Sequence, residues 1–412
     1  PARRRGVVIG AAAAVLVLVG GGTALGVTRP WEDDSEAADA SATAQRAIVG
    51  DTDGDGYGDI VTFPETTDSF ENTTTVQVTT WLSDGSGVTP SAPVEDKGTS
   101  RLLLEKVTGD FDGDGHGELL TVRRDRDKKG DEDYQVSSTA GEISGRLTPP
   151  RAEEDNPKSK QVYVSTAAAD FDGDGKTDVV WFFTEVDPEN TNRYVGRTRV
   201  WGFASTGTGF DAPVRLGSFP SRPMERFAIG DVNGDGKADV VVMNRARHAY
   251  RDYTYTTGLS TVDTYLATGP RDDVKLGRPT SDEMRHDTVD SFLLLDVNGD
   301  GDDELVVTIT DTTNQVIRVG DWTDGHLANP IPTSSFAEPP DWNVFHPIGA
   351  SDLNGDGRTD LFTFTKRKSS ADYTLEVALS TGTGFAAESR WATWPDGPEE
   401  LHRYNVTGSD LK

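Results

Sequence analysis

The sequence contains no cysteine among its 412 residues, and basic side chains are scarce. The absence of cysteine excludes disulfide bonds, iron–sulfur clusters, cysteine-ligated zinc and a cysteine nucleophile. Lysine and arginine number 40 against 69 aspartates and glutamates, which gives a formal net charge of −29. Because binding to phosphate backbones depends on lysine and arginine, we expect no nucleic-acid partner. The patterns of a nucleophile elbow, a phosphate-binding loop, an HExxH zinc site and a dinucleotide site are also missing.

Long hydrophobic runs are missing except near the start, where residues 6–27 are almost entirely apolar. Three arginines precede this run and acidic residues follow it, a distribution typical of a cytoplasmic N-terminus and an exported remainder. The run could cross a bilayer of about 30 Å, and it also has the composition of a secretory signal. We therefore predict a signal peptide or a signal anchor in residues 1–27 and a disordered acidic linker in residues 28–46. The protein is expected to be secreted or on the cell surface, anchored by a transmembrane segment if the signal is uncleaved.

What the sequence does contain is an acidic nine-residue loop that recurs about every sixty residues. The six copies, numbered here as loops 1 to 6, are residues 51–59, 110–118, 170–178, 231–239, 296–304 and 352–360. Short β-branched and aromatic runs flank each loop, and two further strand-like runs complete each unit. Four strands per repeated unit predict an all-β protein, a β-propeller of four-stranded blades in residues 47–412. Because Asp410 is in phase with a seventh loop, we predict seven blades with a truncated last blade; a closed six-bladed ring is the alternative.

The spacing of oxygen-bearing side chains within each loop predicts a calcium site. Calcium takes about six to eight oxygen ligands, and carboxylate or amide oxygens at positions 1, 3, 5 and 9 with a carbonyl at position 7 could supply them. An EF-hand is excluded because position 12 never carries a ligand, whereas the simpler interpretation as Asp/Gly turns stays open. We expect about one Ca²⁺ per complete repeat. The predicted ligands are Asp51, Asp53, Asp55, Tyr57, Asp59; Asp110, Asp112, Asp114, His116, Glu118; Asp170, Asp172, Asp174, Lys176, Asp178; Asp231, Asn233, Asp235, Lys237, Asp239; Asp296, Asn298, Asp300, Asp302, Glu304; and Asp352, Asn354, Asp356, Arg358, Asp360.

The loops, together with the turns Ser-Thr-Gly-Thr-Gly-Phe at residues 205–210 and 380–385, resemble the FG-GAP/VCBS repeat family. That family includes the N-terminal propellers of integrin α-chains. The Phe-Gly and Gly-Ala-Pro ends of integrin repeats are poorly kept, so the VCBS branch is the closer likeness. The resemblance implies a propeller fold and the same calcium-ligand positions.

These features favour an extracellular calcium-binding propeller that acts as a binding or adhesion module for a glycan or protein partner. Loops on the face opposite the calcium loops carry basic residues, among them Arg245, Arg247 and Arg251. Such a face would suit an anionic polysaccharide or a protein, although ordinary solvated loop charge is the simpler interpretation. A secreted polysaccharide-active enzyme (a lyase or hydrolase), or its accessory domain, is the alternative function. No catalytic residues and no oligomeric state are assigned.

Overall fold

The computed structural model describes most of the chain after residue 49. The described residues are 50–62, 65–68, 73–99, 103–126, 132–138, 142–147, 160–187, 190–220, 226–245, 258–286, 289–310, 315–323, 325–327, 333–335, 348–366 and 372–394. Within these ranges the chain is all-β apart from one 3-10 turn at Arg271–Asp273. No described helix is long and apolar enough to cross a membrane. The predicted signal (1–27), linker (28–46) and seventh loop at Asp410 lie outside the described residues.

The strands form six sheets arranged as the blades of a propeller. Blade 1 comprises β1 (Ile60–Thr62), β2 (Glu65–Asp68), β3 (Thr73–Ser83), β4 (Val88–Pro90) and β5 (Val94–Thr99). Blade 2 comprises β6 (Leu103–Gly109), β7 (Glu118–Arg126), β8 (Glu132–Ser138) and β9 (Ser144–Leu147). Blade 3 comprises β10 (Lys160–Ala169), β11 (Asp178–Asp187), β12 (Asn190–Phe203) and β13 (Val214–Pro220).

Blades 4 and 5 each have four strands and a small two-stranded extension. Blade 4 comprises β14 (Arg226–Gly230), β15 (Asp239–Arg245), β16 (Gly258–Tyr265) and β19 (Thr280–His286), extended by β17 (Ala267–Thr268) and β18 (Lys275–Leu276). Blade 5 comprises β20 (Val289–Leu295), β21 (Glu304–Thr310), β22 (Gln315–Gly320) and β25 (Thr333–Ser335), extended by β23 (Trp322–Thr323) and β24 (His326–Leu327). Blade 6 comprises β26 (Ile348–Ser351), β27 (Asp360–Lys366), β28 (Tyr373–Ala378) and β29 (Ser389–Trp394).

Blades 2 to 6 are antiparallel sheets in which the first three strands pair in chain order. Blade 1 departs from this order because β1 and β2 both pair with β3 on one side, while β4 and β5 pair with it on the other. Loops 2 to 6 each join the first strand of a blade to the second, and loop 1 precedes β1. The predicted position between two strands is therefore confirmed for loops 2 to 6, whereas the residues before loop 1 lie outside the described ranges.

In blades 3 to 6 the second strand carries apolar side chains on both faces, because it packs between two neighbouring blades. In β15, Val240 and Val242 belong to the core shared with blade 3, whereas Val241 and Met243 belong to the core shared with blade 5. Successive side chains of a strand point to opposite faces, so an unbroken apolar run is what a sheet covered on both sides requires. This packing holds the loops at the blade ends in a fixed arrangement.

The ring closes with six blades, through hydrogen bonds between consecutive loops. At every junction the N–H at position 8 of one loop donates to the C=O at position 1 of the loop before it, over 2.5–2.7 Å. The sixth such bond, from Gly58 to Asp352, joins blade 1 to blade 6 at 2.6 Å. The six-bladed alternative is therefore confirmed and the preferred seven-bladed ring is not, because this bond fills the junction at which a seventh blade would have to enter.

Candidate metal centres

The backbone of each acidic loop is folded by its own aspartates. In loop 1, Asp51 accepts hydrogen bonds from the N–H groups of Gly54 at 2.6 Å and Gly56 at 3.1 Å. Asp53 and Asp55 each accept one from the residue two positions later, as Asx turns do. Gly54 and Gly56 have φ values of 76° and 94°, a region that glycine enters without steric cost. The repeated Asp/Gly pattern therefore encodes the loop shape as well as the oxygen donors.

The acid at position 9 ties its loop to the rest of the blade. Asp178 is fully buried, and its Oδ1 accepts a hydrogen bond from the N–H of Ser205 at 2.7 Å, at the end of the third strand. Its Oδ2 accepts one from the N–H of Phe171 at 3.2 Å, within loop 3. Asp59 and Asp239 make the equivalent pairs of bonds in loops 1 and 4. Position 9 therefore has a structural role that the ligand spacing alone did not reveal.

The structure brings carboxylates together in the first three loops. One oxygen from each member lies within 4.8 Å of the others in the sets Asp51, Asp53, Asp59; Asp110, Asp112, Asp114, Glu118; and Asp170, Asp172, Asp178. Of the predicted side-chain ligands in these loops, Asp55 and Asp174 lie outside the sets. In loops 4 to 6, position 3 is Asn233, Asn298 or Asn354, and no set of three carboxylates among the described residues meets this distance. The donors at positions 1, 3, 5 and 9 of each of these loops are three carboxylates and one amide oxygen.

Burial perturbs the buried acids of these loops. Desolvation is the largest cause that raises the pKa of Glu118, Asp239 and Glu304 to about 8, and neighbouring carboxylates add to it. The same cause raises the pKa of Asp59 to about 6 and of Asp360 to about 7. Each loop therefore concentrates negative charge where water solvates it poorly, a situation that a bound cation or a proton relieves.

Two buried side-chain atoms of loop 6, Nε of Arg358 and Oδ2 of Asp360, have no hydrogen-bond partner among the described residues. The Oδ1 of Asp360 accepts a hydrogen bond from the N–H of Ser380 at 2.7 Å, whereas its Oδ2 is buried and has no hydrogen-bond partner within the described ranges. An unsatisfied buried oxygen costs about 1–3 kcal/mol, and more when it is charged. Together with the carboxylate sets of loops 1 to 3, this oxygen shows that the donors present fit a hard cation such as Ca²⁺, which prefers oxygen ligands.

Side chains at position 7 lie against the loop before their own. A Cβ built on Gly54 would lie 2.2 Å from the His116 ring, and one built on Gly355 would lie 3.1 Å from the Tyr57 ring. Lys176, Lys237, Asp302 and Arg358 approach the position-4 glycines of their preceding loops in the same way. The prediction for position 7 concerned only its backbone carbonyl, so this contact between consecutive loops was missed.

The turns between third and fourth strands lie on the same face as the acidic loops. Ser205 and Ser380 begin the two Thr-Gly-Thr-Gly-Phe turns, each closed by a bridge to the phenylalanine. The Oγ of Ser205 donates to the C=O of Phe111 in loop 2, and the Oγ of Ser380 donates to that of Val297 in loop 5, both at 2.5 Å. Each turn therefore fastens its blade to the acidic loop of the preceding blade.

In loop 3 two of the predicted ligands are paired with basic side chains. The Nε of Arg271, from the turn after the third strand of blade 4, lies 3.2 Å from Oδ2 of Asp172. The same guanidinium donates to Oδ2 of Asp174, which Lys176 also contacts. Of the basic residues predicted for the opposite face, Arg247 and Arg251 lie outside the described residues.

Comparison with known proteins supports the repeat assignment. A family model described as an FG-GAP-like repeat matches residues 170–242 and 296–363. The first match runs from loop 3 into the strand after loop 4, and the second from loop 5 into the strand after loop 6. No curated protein is detectably similar to the chain in sequence.

Among solved structures, the chain is weakly similar to three rhamnogalacturonan lyases. For the lyase YesW the identity is 13%, with 89% of this chain and 66% of that one covered and a TM-score of 0.33. For the exotype lyase YesX the identity is 15%, with 89% of this chain and 68% of that one covered and a TM-score of 0.35. For a Bacillus licheniformis lyase the identity is 14%, with 89% of this chain and 69% of that one covered and a TM-score of 0.34. The chain spans about two thirds of the length of these enzymes, and the similarity is too low to carry an inference about activity. The matched segments, by contrast, carry FG-GAP-like repeats, and the described strands form a six-bladed propeller.

Proposed function

We propose that the chain is a calcium-stabilised β-propeller that binds about one Ca²⁺ per loop. The observation that carries this proposal is the convergence of three or four carboxylates within 4.8 Å in loops 1 to 3. The unpartnered Oδ2 of Asp360 supports the same role for loop 6. Bound calcium would supply positive charge among like-charged carboxylates, and the loops would hold it through oxygens at positions 1, 3, 5 and 9. Its role is to stiffen the ring rather than to perform chemistry.

Thermal unfolding with and without calcium tests this proposal. For a Kd of about 0.1 mM and about 1 mM free calcium, each independent site adds about 1.4 kcal/mol to the free energy of unfolding. Six sites would add about 8 kcal/mol, which corresponds to about 10 °C in a domain of this size. We expect differential scanning calorimetry to show an increase of this order when calcium replaces EDTA. An unchanged melting temperature would refute the proposal.

A matched pair of substitutions separates the metal site from general charge effects. Asp114→Ser removes a carboxylate from the four-member set of loop 2. Asp211→Ser removes an exposed carboxylate that belongs to none of the loops. Both variants lose one negative charge, so an effect of net charge would reduce the calcium-dependent stabilisation equally. We expect only Asp114→Ser to reduce it, by about the contribution of one site.

For the biological role, we propose an extracellular binding or adhesion module whose ligand is a glycan or protein. Sites of moderate affinity load only where calcium is plentiful, as it is outside the cell. The acidic loops are nearly alike between repeats, whereas the connections at the other ends of the blades differ. Strand β15 begins at loop 4 and ends at Arg245, so the connection that carries Arg247 and Arg251 leaves from the face opposite the loops. This variable basic face is the proposed ligand surface.

Glycan-array binding in the presence of calcium tests that surface. We expect acidic polysaccharide fragments to be captured and the triple variant Arg245→Ala/Arg247→Ala/Arg251→Ala to bind them much more weakly. The control variant Lys275→Ala/Arg278→Ala/Arg390→Ala removes the same charge from exposed positions elsewhere. Equal binding by the wild type and both variants would refute the proposed surface. The enzymatic alternative stays a prediction, to be checked by release of unsaturated or reducing sugar ends from the captured polysaccharide.

A further inference from the structure

The turn of blade 4 that carries Arg271 is held rigidly above loop 3. At its start the N–H of Ala267 donates to Oδ1 of Asp239 at 2.6 Å. The strands β17 and β18 then pair across the turn, and Val274 is 3% exposed within the core between blades 3 and 4. Between these two anchors the 3-10 turn at Arg271–Asp273 is closed by the N–H of Asp273 to the C=O of Pro270 at 2.9 Å. The backbone at Arg271 is therefore fixed on both sides.

From this turn the guanidinium of Arg271 reaches two aspartates of the preceding blade. Its Nε lies 3.2 Å from Oδ2 of Asp172, and its terminal nitrogen donates to Oδ2 of Asp174. The carboxylate side chains of Asp172 and Asp174 are only 6% and 2% exposed, whereas Arg271 is 60% exposed. A guanidinium that bridges two carboxylates makes charge-assisted hydrogen bonds, which are about twice as strong as neutral ones. The arginine can leave into solvent, but the aspartates cannot.

Asp172 and Asp174 occupy positions 3 and 5 of loop 3, where the calcium-binding role proposed above requires free oxygens. Asp172 also belongs to the convergent set with Asp170 and Asp178. A divalent cation and a guanidinium are both attracted to these carboxylates, and each repels the other. Lys176 contacts Asp174 as well, but it belongs to loop 3 itself and does not connect that loop to blade 4.

We propose that Arg271 is a built-in counter-ion that competes with the divalent cation for loop 3. Loop 3 then takes up calcium only at a concentration high enough to displace the arginine, and its loading breaks the ion pairs between Arg271 and loop 3. Without calcium, the arginine neutralises the carboxylates and connects the two blades in the place of the metal. This inference rests on the proposed calcium-binding role and adds to it an order in which the loops load.

The test compares calcium binding by the whole chain and by two single variants. Arg271→Ala removes the competitor, and Lys275→Ala removes the same charge from the same turn, where Lys275 pairs with Asp273 and not with loop 3. Binding is measured by equilibrium dialysis with radioactive calcium and by calorimetric titration at constant ionic strength. We expect Arg271→Ala to tighten one calcium-binding step about tenfold, the factor that corresponds to about 1.4 kcal/mol. Lys275→Ala should leave the isotherm unchanged.

A second variant background assigns the effect to loop 3. In Asp172→Asn/Asp174→Asn the carboxylates that contact Arg271 are replaced, so adding Arg271→Ala should no longer tighten calcium binding. Melting temperatures give an independent readout. Arg271→Ala should lower the melting temperature in EDTA, and calcium should then raise the melting temperature of this variant by more than it raises that of the wild type.

The outcomes separate the inference from the proposal beneath it. If the wild type binds no calcium, the proposed function and the inference both fail. If the wild type binds calcium and the Arg271→Ala isotherm coincides with it, only the inference fails. Tightening that persists in the Asp172→Asn/Asp174→Asn background also overturns it, because the arginine would then act through net charge and not through loop 3.

Discussion

Substituting two glycines at the closure between blades 6 and 1 tests the ring directly. A Cβ added at Gly355 would lie 2.4 Å from the carbonyl oxygen of Gly56, whereas one added at Gly56 would meet nothing within 4 Å. Both glycines have positive φ, 67° and 94°, so alanine carries a left-handed strain of about 1–2 kcal/mol at either position. Only Gly355→Ala adds a collision between blades.

The magnitude of that collision follows from the geometry. Ordinary contact begins at 3.4 Å, so the Gly56 carbonyl must retreat by about 1 Å. It belongs to the backbone and cannot rotate away as a side chain could. Overpacking of this kind costs about 1–3 kcal/mol. The retreat also disturbs the bond from Gly58 to Asp352, a further cost of about 1 kcal/mol.

We therefore expect Gly355→Ala to lose about 3–6 kcal/mol and Gly56→Ala about 1–2 kcal/mol. In a domain of this size these losses lower the melting temperature by about 4–8 °C and about 2 °C. Calorimetry in EDTA and in excess calcium measures both, because each glycine lies within an acidic loop. If the two variants melt at the same temperature in both buffers, Gly56 and Gly355 are not neighbours and the six-bladed closure is wrong.

Two further predictions concern a buried serine and a buried acid. Ser380→Ala removes the donor to the C=O of Val297 and should lower the free energy of unfolding in urea by about 1–2 kcal/mol. The exposed control Ser86→Ala should change it by less than about 0.5 kcal/mol. Equal effects of the two variants would contradict the role of the Ser380 turn in connecting neighbouring blades. Burial, and to a lesser extent the neighbouring Glu376, raises the pKa of Glu388 from 4.5 to about 7. Between these two pH values Glu388 holds a proton in the folded protein that it has lost in the unfolded chain. The free energy of unfolding therefore falls as the pH rises from 4.5 to 7. Glu388→Gln should therefore be about 1–2 kcal/mol more stable than the wild type at pH near 8 and equal to it near pH 4. If the urea midpoints of Glu388→Gln and the wild type differ by the same amount at every pH, the protonation of Glu388 does not cause the pH dependence.

The strands and loops were predictable from the sequence because the signals are local. Asp51 folds loop 1 through bonds to residues three and five positions later, and Gly54 permits the turn through its own φ. Because the same local pattern recurs six times, it predicts where the acidic loop of each blade lies in the sequence. The turns at Ser205 and Ser380 were predictable for the same reason.

The number of blades was not predictable, because it depends on contacts between residues far apart in the chain. Asp410 is in phase with the six loops and favoured a seventh blade. The closure instead uses the N–H of Gly58 and the C=O of Asp352, backbone groups that no sequence pattern distinguishes. The role of Arg271 was missed for a related reason. Its only signal is that the blade 4 turn, with Pro270 after Gly269, departs from the Ser-Thr-Gly-Thr-Gly-Phe pattern.

Ring closure and the proposed calcium binding involve the same residues, so we expect them to be coupled. At position 1 of loop 6, the carbonyl of Asp352 accepts the bond that closes the ring, while its carboxylate accepts the N–H groups of Asp356 and Gly357. A cation that drew this carboxylate into its ligand set would also fix the peptide that holds blade 1. Because each loop donates at position 8 and accepts at position 1, stiffening of one loop reaches both of its neighbours. Calcium removal is therefore expected to loosen the junctions between blades before it unfolds the blades themselves, which are held by the apolar cores on both faces of strands such as β15.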